Sequence, residues 1–145
     1  MVSTPSITYI STSAGAATSN ITPKLGVSIN GYFNDRTAKN IHDELHARCL
    51  VLDDGQQRIA IVVCDCCMIP RDVMDSAKSR IAQRGSVGAD HVLISTTHTH
   101  TGPTCVSLFQ SDPDPEYLLF VAGRIADGVE RAVKNLAPAK IAWGV

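Results

Sequence analysis

Two histidines directly follow a short apolar run near the middle of the chain. Residues 92–94 are predicted to form a buried strand, and His98 and His100 follow at a spacing of two residues. Side chains two residues apart project from the same side of an extended backbone, so both imidazoles can reach one point. Imidazole is the commonest neutral metal ligand and titrates near neutral pH. The pair therefore predicts a metal site, a proton-transfer site, or both.

The position of this pair in the expected fold favours a functional role. Ligands of α/β sheets bind beyond the carboxyl ends of strands, which is where His98 and His100 fall. The alternative is that two histidines in a polar loop are solvated or satisfy local hydrogen bonds.

Structural zinc takes four protein ligands and catalytic zinc about three plus water, so two imidazoles do not complete a zinc site. Further ligands have to come from elsewhere.

The rest of the sequence predicts an α/β domain in which helices pack on a mixed β-sheet. Asp54-Gly55 between two apolar runs predicts a hairpin, and Pro70 and Asp114-Pro115 are typical helix starts. The predicted order is β-β-α-β-α-β. Its elements are strands at 46–53 and 57–65, a helix at 70–83, a strand at 91–95, a helix at 114–136 and a strand at 140–145. Residues 1–13 are expected to be frayed, becoming a strand near Gly15.

Composition and charge narrow the classes of partner. A net charge of −1 gives no field that would attract nucleic acid, so no nucleic-acid partner is expected. No apolar stretch approaches the roughly 18 residues that span a bilayer, and the first 20 residues do not resemble a signal peptide. The odd number of cysteines, five, predicts free thiols in the core rather than disulfides. A reducing compartment, the cytoplasm, is therefore favoured.

Two other patterns contain residues that could do chemistry. Asp65 closes the predicted strand 57–65, at a position from which carboxylates often enter active sites, and the alternative is a turn or helix-entry carboxylate. Residues 42–46, HDELH, only superficially match the zinc-protease pattern H-E-x-x-H. Asp43 stands where the general-base glutamate must follow the first histidine, and a strand rather than a long helix comes next. No site of that protease type is expected.

Residues 94–103, ISTTHTHTGP, resemble the S-x-T-H-T-H-S-G-P signature of the neutral/alkaline (non-lysosomal) ceramidases. Three other stretches are similar to the same family in the same order. They are residues 15–32 with I-T-P-x-L-G and G-Y, residues 41–55 with H-D-x-L-x-A-R-x-L-V-L-D-D-G, and residues 62–69, which contain the strand that ends in Asp. The resemblance covers roughly residues 14–145, and the T-H-T-H-x-G-P string is rather specific to the family.

The resemblance implies a zinc amidase that cleaves the N-acyl bond of ceramide into sphingosine and a fatty acid. In that family the first histidine of the T-H-T-H string binds Zn²⁺ together with a later His, a Glu and a Tyr, and a Ser acts nearby. Carried over by position, His98 becomes a zinc ligand, and His100 contacts the scissile carbonyl or the reaction intermediate. Asp65 is our own candidate for orienting one of these rings. The expected partner is ceramide or another N-acyl lipid, with peripheral membrane contact through this substrate.

The chain departs from the family pattern in ways that keep other functions open. Asn20 stands where relatives often carry Asp, and Thr101 replaces the usual Ser. The later His, Glu, Tyr and Ser have no counterpart in these 145 residues, so the remaining catalytic region is expected downstream of Val145. One alternative is a metal- or ligand-binding module that kept the fold without catalysis. Another is a structural or interaction domain whose histidines are satisfied locally.

Overall fold

In the part of the chain that the structure describes, a five-stranded mixed sheet and two helices form the fold, which confirms the predicted α/β class. The computed structural model describes residues 12–142. Its elements are β1 (Thr12–Asn20), β2 (His46–Asp53), β3 (Arg58–Cys64), α1 (Arg71–Gln83), a 3-10 turn (Ala89–His91), β4 (Val92–Thr96), α2 (Pro115–Lys134) and β5 (Ala137–Ala139). The strand order is β4-β3-β2-β1-β5. Within residues 12–142, only β3 and β4 pair in parallel, and the other neighbouring strands are antiparallel.

Strand β1 confirms the strand expected near Gly15, although the predicted order β-β-α-β-α-β does not include it. It pairs with β2 over eight residue pairs and already includes Thr12 and Ser13, which we expected to be frayed. The strand is rich in small residues because the end of α2 lies against it. A Cβ atom added to Gly15 would stand 2.0 Å from the backbone oxygen of Ala132. The lack of large apolar side chains, which hides β1 from a hydrophobicity pattern, is therefore a packing requirement.

The last strand lies earlier than predicted. Strand β5 spans Ala137–Ala139 and pairs antiparallel with β1, whereas residues 140–142 have no regular structure and residues 143–145 lie outside the described part of the chain. Helix α2 accordingly ends at Lys134 rather than Leu136. Pro138 fits β5 because this strand is at the edge of the sheet, where proline need not donate to a further neighbour.

The hydrophobic core lies between one face of the sheet and the helices. Helix α2 packs on β1 and β2, and α1 packs on α2. The start of α2 is as predicted, because the Asp114 side chain accepts a hydrogen bond from the backbone nitrogen of Glu116 and Pro115 is the first helical residue. The strand residues of β2, β3 and β4 that are buried on the helix side are Ala47, Cys49, Val51, Ala60, Val62, Cys64, Val92 and Ile94. The opposite face exposes apolar side chains, including Leu50, Ile59 and Leu93.

The five cysteines are buried and free, which confirms that no disulfide stabilises this domain. Burial raises the pKa of the Cys49 thiol to about 11 and that of the Cys64 thiol to about 12. Both thiols are therefore protonated at neutral pH and act as small apolar core residues. Within residues 12–142, neither helix is long and apolar enough to cross a membrane.

Two glycines of α2 provide a matched test of this packing. A Cβ at Gly128 would stand 2.7 Å from the Cys49 sulfur and 3.2 Å from the Ser19 Cβ, whereas a Cβ at Gly123 would meet only an Arg80 nitrogen at 3.8 Å. We expect Gly128→Ala to lower the free energy of unfolding by about 1–3 kcal/mol, because it overpacks the core. Gly123→Ala should raise it by up to about 1 kcal/mol through helix propensity. Urea unfolding measures both, and equal effects would contradict this account of α2.

Candidate metal centre at the ends of strands β3 and β4

The parallel pairing of β3 and β4 brings the predicted site segments together. Cys64 and Thr96 are register partners at the carboxyl ends of the two strands, and the backbone nitrogen of Thr97 donates to the oxygen of Cys64 at 3.0 Å. The chain leaving β3 carries Asp65 and Cys67, and the chain leaving β4 carries the two histidines. These segments therefore lie side by side at one edge of the sheet.

The Cys67 carbonyl fixes the orientation of the His98 ring. Nδ1 of His98 lies 2.9 Å from the backbone oxygen of Cys67, which also accepts a hydrogen bond from Thr96 Oγ1 at 3.1 Å. A carbonyl can only accept, so Nδ1 of His98 must carry a proton. In the neutral ring Nε2 is then unprotonated, with its lone pair free to bind a proton or a cation. This arrangement is typical of metal-binding histidines.

The second imidazole meets the first at this free nitrogen. His98 Nε2 and His100 Nε2 are 3.4 Å apart, and the two rings are nearly perpendicular with centroids at 5.0 Å. Because His98 Nε2 accepts in the neutral ring, Nε2–H of His100 is the donor. Both side chains are solvent-exposed and so accessible to a ligand. The prediction that both rings reach one point is confirmed, but the reason differs. His98 has a left-handed backbone, with φ of 60°, and is not in the extended conformation that we assumed.

Residues from an earlier loop surround His100. Gly31 has φ of 106°, and a Cβ at this position would collide with the His100 ring at 2.4 Å. Tyr32 packs edge-on to the His100 ring, with centroids 6.1 Å apart. Arg36 lies over the Tyr32 ring and donates to the backbone oxygen of His100 at 2.7 Å. In the sequence, Gly31 and Tyr32 stand out only as the G-Y of the family resemblance, and no local signal marks Arg36.

Asp65 lies at the same edge but engages other partners. Its Oδ2 atom accepts hydrogen bonds from the backbone nitrogen of His46 at 3.0 Å and from Arg48 Nη1 at 2.5 Å. We expected Asp65 to orient one of the imidazoles, whereas the structure gives this role at His98 to the Cys67 carbonyl. The carboxylate bonds to β2 because this strand is the antiparallel neighbour of β3, and His46 and Arg48 lie at its start.

A groove of about 730 Å³ borders the loop after β4 that carries His98 and His100. Its lining includes Asp65 and Thr99, together with the apolar side chains of Leu25, Ile41 and Leu45. Leu25 and Ile41 are about half exposed. An apolar wall next to a polar loop is suited to an amphiphilic molecule.

The Cys67 thiol also lies against His98, and sequence reasoning missed it as a site residue. Its sulfur is 3.6 Å from His98 Nδ1. Cys67, His98 and His100 each offer one donor atom, and these atoms all lie within 4.8 Å of one another. We had interpreted Cys67 as a core residue, and its side chain is indeed buried, which raises the pKa of the thiol. No sequence spacing joins it to the histidines, because 31 residues separate Cys67 from His98.

The fold and this edge together define an α/β domain with a candidate Cys/His/His cation site. The family profile of the neutral/alkaline non-lysosomal ceramidases, N-terminal region, matches residues 13–145. The chain therefore belongs to this family.

Individual relatives agree with this assignment. The neutral ceramidase of Mycobacterium tuberculosis is 27% identical over 120 residues, which cover 74% of this chain and 19% of that protein. The crystal structure of neutral ceramidase from Pseudomonas aeruginosa matches with a TM-score of 0.80 at 24% identity, covering 89% of this chain and 22% of the other. A ceramidase complexed with C2 gives a TM-score of 0.78 with the same identity and coverage. These structures share the fold, and the chain spans about a fifth of the length of its relatives.

The first prediction for this site concerns the His98 tautomer. We expect the neutral ring to carry its proton on Nδ1, because the Cys67 carbonyl accepts there. Long-range ¹H–¹⁵N correlation spectra distinguish the two tautomers, and the spectrum of His98→Gln assigns the signals. A proton found on Nε2 would mean that the carbonyl does not orient this ring.

The second prediction uses two glycines with left-handed backbones. Gly31→Ala should displace the His100 ring and shift its imidazole resonances, because the new Cβ overlaps the ring. Gly26→Ala is the matched control, since Gly26 has φ of 90° and, apart from its chain neighbours, no atom of the described residues lies within 4 Å of the position that a Cβ would take. Both variants incur a left-handed penalty of about 1–2 kcal/mol. Equal loss of stability, with unmoved His100 resonances in both variants, would contradict the contact.

Proposed function

We propose that this chain is the N-terminal part of a zinc-dependent hydrolase of the neutral ceramidase type. The reaction is cleavage of the N-acyl amide bond of ceramide, or of a related lipid amide, to sphingosine and a fatty acid. The observation that carries the proposal is the 3.4 Å separation of the two Nε2 atoms in a chain that belongs to this family.

The residues present fit zinc. Because Nδ1 of His98 is protonated, its Nε2 atom has a lone pair that Zn²⁺ can take at the usual Zn–N distance of about 2.0–2.1 Å. The Nδ1 hydrogen bond of His98 to a carbonyl is the usual outer partner of a zinc-binding imidazole. His98 would therefore hold the metal through Nε2. When bound, zinc supplies a Lewis acid for the amide carbonyl and lowers the pKa of a bound water to about 7.

The chain's own residues have separate roles in this proposal. The Cys67 carbonyl keeps Nε2 of His98 directed at the site, and Gly31, Tyr32 and Arg36 hold His100. His100 would donate its Nε2 proton in a hydrogen bond to the scissile carbonyl oxygen, where negative charge develops during the reaction. Asp65 would contribute to catalysis only indirectly, by anchoring Arg48 and the start of β2 beside the groove.

The groove supports a lipid as the substrate class. Leu25, Ile41 and Leu45 could line a hydrocarbon chain, and Thr99, which stands between the two histidines in the sequence, lines the same groove. A substrate of this kind would bring the protein into peripheral contact with a membrane. One imidazole ligand, His98, is fewer than the roughly three protein ligands that catalytic zinc requires. We therefore assign the remaining ligands and the serine to polypeptide outside the matched fifth of the relatives' length.

Substitution of the two histidines tests this assignment in the polypeptide encoded by the complete reading frame. His98→Ala should abolish both zinc binding and hydrolysis, because it removes a direct ligand. His100→Ala should retain most of the zinc and lower kcat on the order of 10²–10³, as expected for one lost oxyanion donor. Zinc content per protein and turnover of a fluorescent ceramide are the two measurements. Full metal and full activity in His98→Ala would refute the ligand assignment.

A further inference from the structure

Two phenylalanine rings meet in solvent close to the histidine pair. Phe33 is 75% exposed and Phe109 is 60% exposed, and their ring centroids are 4.5 Å apart. Their neighbours in the sequence, Tyr32 and Leu108, are also exposed. Phenylalanine is one of the residue types that folding most often buries, so a pair of exposed rings calls for a reason. We name these four side chains the apolar patch.

Hydrogen bonds hold the two loops that carry the apolar patch. The Asn30 side-chain nitrogen, in the loop after β1, donates to the backbone oxygen of Val106, in the loop after β4, at 3.1 Å. Leu108 and Ser111 exchange two backbone hydrogen bonds of 3.1 Å, which places Phe109 at the tip of a tight turn. Phe109 has a left-handed backbone, with φ of 56°, and such a conformation persists only where the surrounding structure determines it. The fold therefore fixes both rings in their exposed positions.

The apolar patch adjoins the histidine pair. Tyr32 packs edge-on to the His100 ring, and the next residue, Phe33, extends the apolar surface to Phe109. An apolar phase in contact with the patch would therefore lie next to the imidazoles. The amide of an N-acyl lipid lies at the boundary between headgroups and hydrocarbon, and aromatic side chains favour the same depth of a bilayer.

The size and charge of the patch favour a lipid surface over a protein partner. A stable protein interface uses about 20–30 residues on each side, whereas the patch consists of four side chains. Residues 28–37 and 104–111 contain one acidic and one basic residue, Asp35 and Arg36, so these loops offer no cluster of positive charge to an anionic surface. Contact with a bilayer should therefore be apolar and insensitive to salt.

We propose that the apolar patch docks this protein on a lipid bilayer with zwitterionic headgroups. Phe33, Leu108 and Phe109 enter the boundary between headgroups and hydrocarbon, and the histidine pair then faces the depth at which a lipid amide lies. The inference rests on the proposed function and deepens it, because it names the surface through which the protein reaches its substrate.

Sedimentation with phosphatidylcholine vesicles tests the proposal in the polypeptide encoded by the complete reading frame. Phe33→Ser and Phe109→Asn should each weaken binding at least about tenfold, since burial of a phenylalanine side chain contributes that much or more. Asparagine is chosen because it tolerates the left-handed backbone. The matched controls are Leu93→Thr on β4 and Leu119→Gln on α2, which replace side chains that are 60% and 64% exposed and should leave binding unchanged. Tyr32 is not substituted because it also contacts His100.

Loss of binding in the two phenylalanine variants alone supports the proposal. Equal loss in the controls, binding that salt abolishes, or an unsubstituted protein that does not bind vesicles would overturn it. Urea unfolding and sedimentation velocity of Phe33→Ser test the other possible occupants. A loss of stability as large as that of a core substitution would mean that the same polypeptide covers the ring, and dissociation of an oligomer would mean that a second copy does. Either result overturns docking on a lipid surface.

Vesicle binding is measured without metal or hydrolysis, so the two proposals can fail separately. His98→Ala should bind vesicles as the unsubstituted protein does. If that variant keeps full zinc and activity while the phenylalanine variants lose vesicle binding, the ligand assignment fails and the docking surface stands. If His98→Ala loses zinc and activity while Phe33→Ser and Phe109→Asn bind vesicles normally, the docking surface fails alone.

Discussion

The hydrogen bond between His98 Nδ1 and the Cys67 carbonyl is the interaction on which the site depends. It joins the segments that leave two neighbouring strands, and it decides which nitrogen of His98 carries the free lone pair of the neutral ring. The two segments meet because β3 and β4 pair in parallel. A parallel pair needs a long crossover connection, and α1 supplies it. Because α1 packs on α2, and α2 packs on β1 and β2, the geometry of one imidazole depends on the whole layered fold.

Several hydrogen bonds hold the loop after β4 that carries His98 and His100, and they offset the strain of its left-handed residue. A left-handed residue such as His98 costs of order 1–3 kcal/mol and persists only where its surroundings determine it. Here Thr97 is bonded to the end of β3, and the backbone nitrogen of Thr104 donates to the oxygen of Ser28 at 2.8 Å. Arg36 holds the backbone oxygen of His100 between these two points. The contacts of the fold itself therefore hold the two rings in this arrangement.

Local signals explain which features could be predicted from the sequence. The features that were predicted correctly depend on residues that are adjacent in the sequence. They are the Asp54-Gly55 hairpin, the Asp114-Pro115 helix start and the T-H-T-H string. The missed features are pairings across the fold. Asp65 bonds to Arg48 because the antiparallel neighbour of β3 brings that residue to the same edge, and Gly31 packs on the ring of His100, far along the chain. Neither hydrophobic periodicity nor a local motif indicates contacts between residues so far apart in the sequence.

The convergence of the two imidazoles shows why a correct prediction can rest on an incorrect reason. The expectation from strand periodicity assumed that the backbone continues to alternate through His98, and the left-handed φ breaks that alternation. The rings still meet because hydrogen bonding at Nδ1 of His98 and packing against Gly31 at His100 orient them independently. Spacing therefore identified the residues but not their geometry. The contacts that set the geometry come from the segment after β3 and from the loop after β1, so the directions of the two rings are decided by residues far from the T-H-T-H string in sequence.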